Sequence, residues 1–112
     1  DWAEQNGVRR PIVPEHCEQA YHMYYLLMPT AECRSKFIAQ LKDRGVMAVF
    51  HYLPLNASNF ALRMSEKGWQ KFQCPVSEDV ADRLVRLPFY SNMSHDDQTR
   101  VIEEVLEFDS LA

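Results

Sequence analysis

The sequence predicts an α/β domain whose sheet has about three strands and whose helices pack mainly on one face. Two observations lead to this class. Short apolar and aromatic runs bounded by Gly or Pro are typical of strands, whereas other stretches repeat apolar residues at helical spacing behind a Ser or Thr that can cap a helix. The predicted elements follow the order strand, helix, strand, helices, strand, helix.

Composition is that of an ordinary globular protein. The 112 residues suffice for one domain, with 46% hydrophobic and 25% charged residues. The net charge is −4, and the scattered Lys and Arg residues lack the basic stripe expected of a nucleic-acid binder. No apolar run approaches the roughly 20 residues that span a bilayer, and no signal peptide is evident. We therefore expect a cytoplasmic protein without membrane or nucleic-acid partners.

The cysteines predict neither disulfides nor a metal site. Cys17, Cys33 and Cys74 are odd in number and unequally spaced, so reduced thiols are expected. A zinc site would need a close pair of Cys or His ligands, and the spacing of Cys17 and His22 is a weak match.

Residues 1–7 have the pattern of the end of a helix that stops at Gly7, and the chain has no starting Met. We expect this segment to be the tail of a helix from an upstream domain. Residues 8–112 then form the domain proper, beginning with a stiff connector that contains Pro11 and Pro14.

The first half of the domain predicts a strand, a helix and a second strand. Residues 20–28 are rich in aromatic and large apolar side chains, which favours a strand. A helix over residues 31–44 is capped by Thr30 and ends at Gly45. Its buried stripe comprises Cys33, Phe37, Ile38 and Leu41. Residues 46–50 carry no charge and predict a strand buried on both faces.

The second half predicts three helices and one strand. Residues 58–66 favour a short helix, and residues 68–75 form a loop that exposes Trp69 and Phe72. Ser77 is expected to cap a third helix. Residues 85–89 predict a strand at the sheet edge, where Pro88 is tolerated. Ser94 and Asp97 predict the start of the last helix. Its buried stripe comprises Val101, Ile102, Val105 and Leu106.

Ionisable groups follow the second predicted strand directly. His51 and Tyr52 stand where a rigid strand gives way to a turn at Pro54, a position suited to ligand contact. The alternative is that both are ordinary strand-end residues. No Gly-rich phosphate loop is possible with only three glycines. All four lysines lie in polar contexts, unlike a desolvated Schiff-base lysine; they are Lys36, Lys42, Lys67 and Lys71. No catalytic residue is therefore expected in this chain.

Three segments together resemble one known family. They are residues 22–25, residues 34–55 with the string Met-Ala-Val-Phe-His-Tyr-Leu-Pro-Leu, and residues 83–90 with Arg-Leu-Pro. The sequence resembles the C-terminal domain of the pyridoxal-phosphate-dependent sugar-nucleotide aminotransferases of the DegT/DnrJ/EryC1/StrS family. Within it, the chain is most similar to the dTDP-4-amino-4,6-dideoxygalactose transaminase branch, which aminates dTDP-4-keto-6-deoxyglucose. The resemblance covers about residues 8–108.

The resemblance implies the small C-terminal domain of a type I aminotransferase fold. In that family a larger N-terminal domain carries the Schiff-base lysine and most of the phosphate cradle, so pyridoxal phosphate would be bound mainly outside this chain and none is expected within it. It implies a homodimeric enzyme that moves an amino group from glutamate to a nucleotide-linked 4-keto-6-deoxy sugar, in the biosynthesis of bacterial surface polysaccharide such as lipopolysaccharide. This chain alone would be inactive.

By the same resemblance, His51 lies near the substrate sugar and Tyr52 contributes to the same wall. Asn56 stands where the branch commonly has His, at the start of an atypical loop over residues 56–61. These three residues are the expected substrate-binding set. Two other functions remain open. The chain could be a stand-alone ligand-binding module with a site at His51, or an interaction domain that docks through Trp69 and Phe72.

Overall fold

A three-stranded antiparallel sheet organises the structure, a computed structural model that describes residues 1–110. Strands β1 (Tyr25–Leu27), β2 (Val49–Phe50) and β3 (Leu84–Arg86) lie in the order β1-β3-β2. The helices among the described residues are α1 (Trp2–Gln5), α2 (Ala31–Asp43), α3 (Asn59–Glu66), α4 (Pro75–Arg83) and α5 (His95–Leu106), with a 3₁₀ turn over Leu55–Ala57. The predicted α/β class with about three strands is confirmed.

Strand β3 is the central strand, so the prediction that residues 85–89 form an edge strand is wrong. Val85 is paired with Leu26 of β1 on one side and with Phe50 of β2 on the other. The strand ends at Arg86, and Pro88 follows it. Because the proline lies outside the ladder, its missing N–H costs no inter-strand hydrogen bond.

The first strand is shorter than predicted. Of residues 20–28, only Tyr25–Leu27 form a strand. Tyr21 has a φ of +50°, which is outside the extended region, and its side chain is exposed.

The second strand is also shorter, and it is not buried on both faces. Val46 and Ala48 are buried, whereas Met47 and Phe50 are exposed. The Val46 N–H donates to the carbonyl of Leu41 at 2.8 Å, closing the end of α2. That N–H is therefore unavailable to a sheet, and pairing begins only at Val49.

The core lies between α1, α2, α5 and one face of the sheet. Of the predicted α2 stripe, Cys33, Phe37 and Leu41 are buried and Ile38 is partly buried against the core. The Thr30 cap accepts the Cys33 N–H at 3.0 Å. Phe37 is fully buried, and its ring meets that of Phe108 edge-on at a centroid distance of 5.0 Å. These contacts place most helical packing on one side of the sheet, as expected.

The first and last described segments are joined by hydrogen bonds. The predicted helix before Gly7 is present as α1, and Gly7 takes a φ of +63°. The Trp2 Nε1–H donates to the Phe108 carbonyl at 2.8 Å, and the Ser110 N–H donates to Asn6 Oδ1 at 2.6 Å. Residues 1–7 are thus packed into this domain, and their assignment to an upstream domain stays a prediction.

Two helix details correct the predictions. Helix α4 begins at Pro75 behind Cys74, not behind Ser77. Proline suits the first helical position because its missing N–H would have no partner there. In α5 the Ser94 cap is confirmed. Of its predicted stripe, however, Ile102 and Leu106 are half exposed, because they border an apolar groove instead of the core.

Two kinds of structure are absent from the described part of the chain. None of its helices is long and apolar enough to cross a membrane. Within residues 1–110, no three His, Cys, Asp or Glu side chains gather as metal ligands would.

Replacing Phe37 by Ala should destabilise the chain by about 3–5 kcal/mol, because it empties a fully buried site between two other aromatic rings. Urea unfolding followed by tryptophan fluorescence measures the loss. Phe72→Ala is the matched control, since that ring is 61% exposed and its removal should change the free energy of unfolding by less than about 0.5 kcal/mol. Equal losses for both variants would contradict the assignment of Phe37 to the core.

Candidate functional site

The three predicted substrate-binding residues line one cavity. His51, Tyr52 and Asn56 face a space of about 480 Å³ between the turn after β2 and the start of α4. The other lining residues are Leu53, Pro54, Leu55, Cys74, Ser77, Val80, Ala81 and Leu84. The structure therefore brings together the residues that the sequence singled out, on a mostly apolar floor.

The turn that carries these residues is fixed by its backbone. Strand β2 ends at Phe50, and Pro54 then directs the chain into the 3₁₀ turn, where the Ala57 N–H donates to the Pro54 carbonyl at 3.0 Å. Ser58 follows at once as the cap of α3, accepting the Ala61 N–H. Few free dihedral angles remain between strand and helix, so His51 and Tyr52 are presented from a rigid support.

His51 and Tyr52 differ in exposure but are in contact. Their ring centroids lie 4.6 Å apart, and the Tyr52 side chain is 74% exposed. The Nδ1 atom of His51 is buried and has no hydrogen-bond partner among the described residues. A buried ring nitrogen normally has a partner, so this one has an unmet hydrogen-bonding capacity.

Asn56 has a structural task that the sequence did not reveal. Its Nδ2 donates to the Phe72 carbonyl at 3.2 Å and to Glu78 Oε1. Both partners are acceptors, which requires the amide NH₂ to point toward them. The Asn56 side chain thus ties the turn to the loop before α4 and to α4 itself. Only its amide oxygen is left to meet a ligand.

The Glu78 carboxylate receives a second hydrogen bond at the same junction. The Cys74 N–H donates to Glu78 Oε1 at 3.0 Å. This backbone bond, followed by the bond from Asn56, lowers the pKa of Glu78 below its ordinary value, because both donors favour the ionised carboxylate.

Arg86 lies beside the cavity and contacts Tyr52, although sequence reasoning missed it as a functional residue. Its guanidinium carbon lies 5.8 Å from the centroid of the Tyr52 ring, within cation–π range. Arg86 follows Leu84 by two positions in β3, so it shares the face on which Leu84 lines the cavity. The available signal was a charged residue between apolar neighbours in a short buried strand.

Other features of the described chain lie away from this site. A second cavity, of about 570 Å³, is an apolar groove between α1, β1 and α5, and none of the predicted site residues lines it. Trp69 and Phe72 are exposed in the loop before α4, as expected. All four lysines are also exposed, and Lys36 is paired with Glu32 at 3.4 Å.

The chain matches known aminotransferases over nearly all its length. A model of the DegT/DnrJ/EryC1/StrS aminotransferase family matches residues 3–106. The dTDP-3-amino-3,4,6-trideoxy-α-D-glucose transaminase of Micromonospora megalomicea subsp. nigra is 27% identical over 107 residues, which cover 96% of this chain and 28% of that enzyme.

Solved structures agree in fold. The aminotransferase TlmJ from Streptoalloteichus hindustanus superposes with a TM-score of 0.74 at 27% identity, over 93% of this chain and 28% of that one. The PLP form of a putative sugar aminotransferase from Streptococcus pneumoniae shares the fold with a TM-score of 0.73 at 19% identity, over 93% and 26%.

The matches cover most of this chain but only part of each relative, because the chain spans about a quarter of the length of the curated relatives it matches. Within that span, the family model matches residues 3–106, and the α/β fold agrees with that of solved aminotransferases. The chain belongs to the DegT/DnrJ/EryC1/StrS aminotransferase family.

Proposed function

We propose that this chain is the substrate-side small domain of a pyridoxal-phosphate-dependent sugar-nucleotide aminotransferase. The reaction moves an amino group from glutamate to a nucleotide-linked 4-keto-6-deoxy sugar of the dTDP type, in the cytoplasm, for a bacterial surface polysaccharide such as lipopolysaccharide. The observation that carries the proposal is the cavity shared by His51, Tyr52 and Asn56, in a chain whose family consists of aminotransferases. Alternative readings as a stand-alone module or an interaction domain are not favoured by these matches.

The cofactor is proposed to be held mainly by the part of the enzyme outside this chain. Every lysine is exposed, so none is a desolvated amine suited to a Schiff base. None of the three glycines lies at the start of a helix, where a phosphate cradle would need them. The Streptococcus pneumoniae protein of the same fold was solved in its PLP form, which supports pyridoxal phosphate as the cofactor of the full-length enzyme. The part of the full-length enzyme outside this chain is proposed to bind that cofactor.

The site residues have complementary proposed roles toward the sugar. His51 offers an unpartnered ring nitrogen to a sugar hydroxyl or carbonyl. Tyr52 adds a phenol, and Asn56 adds its amide oxygen while it holds the turn in place. The apolar side chains of Leu53 and Leu55 are 67% and 88% exposed beside the site. Such a surface supports contact with the large domain and with the second subunit of a homodimer.

The chain by itself should show no aminotransferase activity and no specific cofactor adduct. Incubation with pyridoxal phosphate, reduction with borohydride and peptide mapping by mass spectrometry test this expectation. Low, scattered labelling of several exposed lysines is the expected result. A stoichiometric adduct at one lysine would contradict the proposed division of the cofactor site.

His51→Ala in the full-length enzyme should impair the reaction with the sugar while leaving folding nearly unchanged. Losing one hydrogen bond to the substrate costs on the order of 1–3 kcal/mol, or about 10- to 100-fold in kcat/KM for the keto-sugar nucleotide. The half-reaction with glutamate should suffer less, because glutamate has no sugar ring. Both halves are followed by the absorbance of the cofactor.

The matched control for this variant is His16→Ala, since His16 is exposed and is not among the residues that line the cavity. Equal loss in both half-reactions would assign His51 to the cofactor or to the fold. Unchanged kinetics with a lower melting temperature would make His51 a packing residue.

The Glu78 carboxylate, which accepts from Asn56, should take up a proton at a lower pH than an ordinary glutamate, whose pKa is about 4.3. Because folding lowers the pKa of Glu78, its stabilising contribution is complete above the unfolded pKa and is lost as the pH falls through the folded one. The side-chain amide signals of Asn56, followed by NMR, should shift in that window. Glu78→Gln should abolish the shift and Glu66→Gln should preserve it. A midpoint at or above the ordinary value would contradict the geometry.

A further inference from the structure

Arg86 lies on the face of the sheet that is turned away from the core. Leu26 and Val85 are paired partners and both belong to the core cluster. The next row of the sheet contains Arg86, which is paired with Tyr25 of β1 on one side and with Val49 of β2 on the other. Because side chains alternate along a strand, this second row faces the opposite side. Arg86 is therefore flanked by an aromatic and an aliphatic neighbour and is only partly exposed.

None of the ion pairs found among residues 1–110 gives the Arg86 guanidinium an anionic partner. Its Nε is buried without a hydrogen bond, and no carboxylate within residues 1–110 comes within 4.0 Å of its nitrogens. The Nε of Arg34 is likewise buried without a hydrogen bond, although its Nη1 donates to the Ala81 carbonyl, whereas two other arginines have carboxylate partners. Arg44 contacts Glu104 at 2.9 Å, and Arg83 contacts Asp79. A buried donor on a permanent cation is costly when it is left unpaired, so the site has an unmet demand for an anion.

Two unpartnered nitrogens flank the same ring. Tyr52 has the His51 imidazole at a centroid distance of 4.6 Å and the Arg86 guanidinium at 5.8 Å. The His51 Nδ1 and the Arg86 Nε are both buried without partners. A cation, a phenol and an imidazole on neighbouring side chains can receive an oxyanion at the cation and a neutral polar group beside it. The guanidinium offers parallel N–H donors that match two oxygens of a carboxylate or phosphate.

We infer that Arg86, on the face shared with Tyr25 and next to Tyr52, binds an oxyanion of the substrate. This inference rests on the proposed function and deepens it, because that reaction supplies two such groups: the carboxylates of the amino donor and the diphosphate of the nucleotide sugar. Arg86 binds the ligand directly, whereas the neighbouring tyrosines shield the ion pair from water.

The test uses the full-length enzyme and calorimetry, so that it requires no turnover. The probes are glutarate, a dicarboxylate without an amino group, and thymidine diphosphate. Arg86→Gln should weaken the binding of at least one probe by about 10- to 100-fold, the loss expected for one charge-assisted pair. Arg44→Gln is the control, because Arg44 already has its own carboxylate. That variant should bind both probes as the wild type does.

The pattern of loss identifies the source of the oxyanion. Weakening confined to glutarate assigns the amino donor, weakening confined to thymidine diphosphate assigns the nucleotide, and weakening of both assigns a shared position. Arg86→Met, which keeps the aliphatic bulk on the sheet, repeats the measurement if Arg86→Gln does not fold. The inference is overturned if the folded variants bind both probes normally, if the wild type binds neither, or if neither variant folds.

The outcome is separable from that of the proposed function. If the wild-type enzyme does not aminate a nucleotide-linked keto sugar with glutamate, the proposed function fails, while the binding data still decide the role of Arg86.

Discussion

The pairing of β3 with strands on both sides is the constraint on which the rest of this structure depends. The three residues of β3 contribute to both the core and the candidate site, because alternate side chains point to opposite faces of the sheet. Val85 is fully buried in the core, whereas Leu84 and Arg86 face the side where the cavity opens. A shift of one residue in register would exchange these roles, moving a charge into the core and an apolar side chain into the site. Fold and candidate site are therefore specified by the same short ladder.

The candidate site itself is built from a turn that is held at several points. The backbone bond at Pro54 and the cap at Ser58 fix its two ends, and the Asn56 amide ties its middle to α4. Rigid support of this kind is what a binding site needs if polar groups are to meet a ligand without a large ordering cost. The lowered pKa of Glu78 belongs to the same arrangement, since the donors that fix the turn also favour the charged carboxylate.

Local features of this chain could be predicted from the sequence, and long-range ones could not. The Thr30 and Ser94 caps and the buried stripe of α2 depend on residues three or four apart, and they are found as predicted. His51, Tyr52 and Asn56 share a cavity because they are close neighbours in the chain. Strand order depends on pairings between residues about 35 to 60 apart, which no local pattern specifies, so β3 was placed at the edge. The position of Arg86 beside the site could not be predicted for the same reason, since the face on which it lies is known only once the strand register is known.

The contacts between the first and last described segments have a consequence for cooperativity. Chain ends usually fray first, because few contacts oppose their motion. Here Trp2 and Asn6 are bonded to Phe108 and Ser110, more than 100 positions away in sequence. Neither end can open without releasing bonds to the other, and opening either exposes the Phe37 cluster behind them. The first and last described segments thus belong to the same unfolding unit as the core, and local opening is left to exposed loops such as the one between α3 and α4.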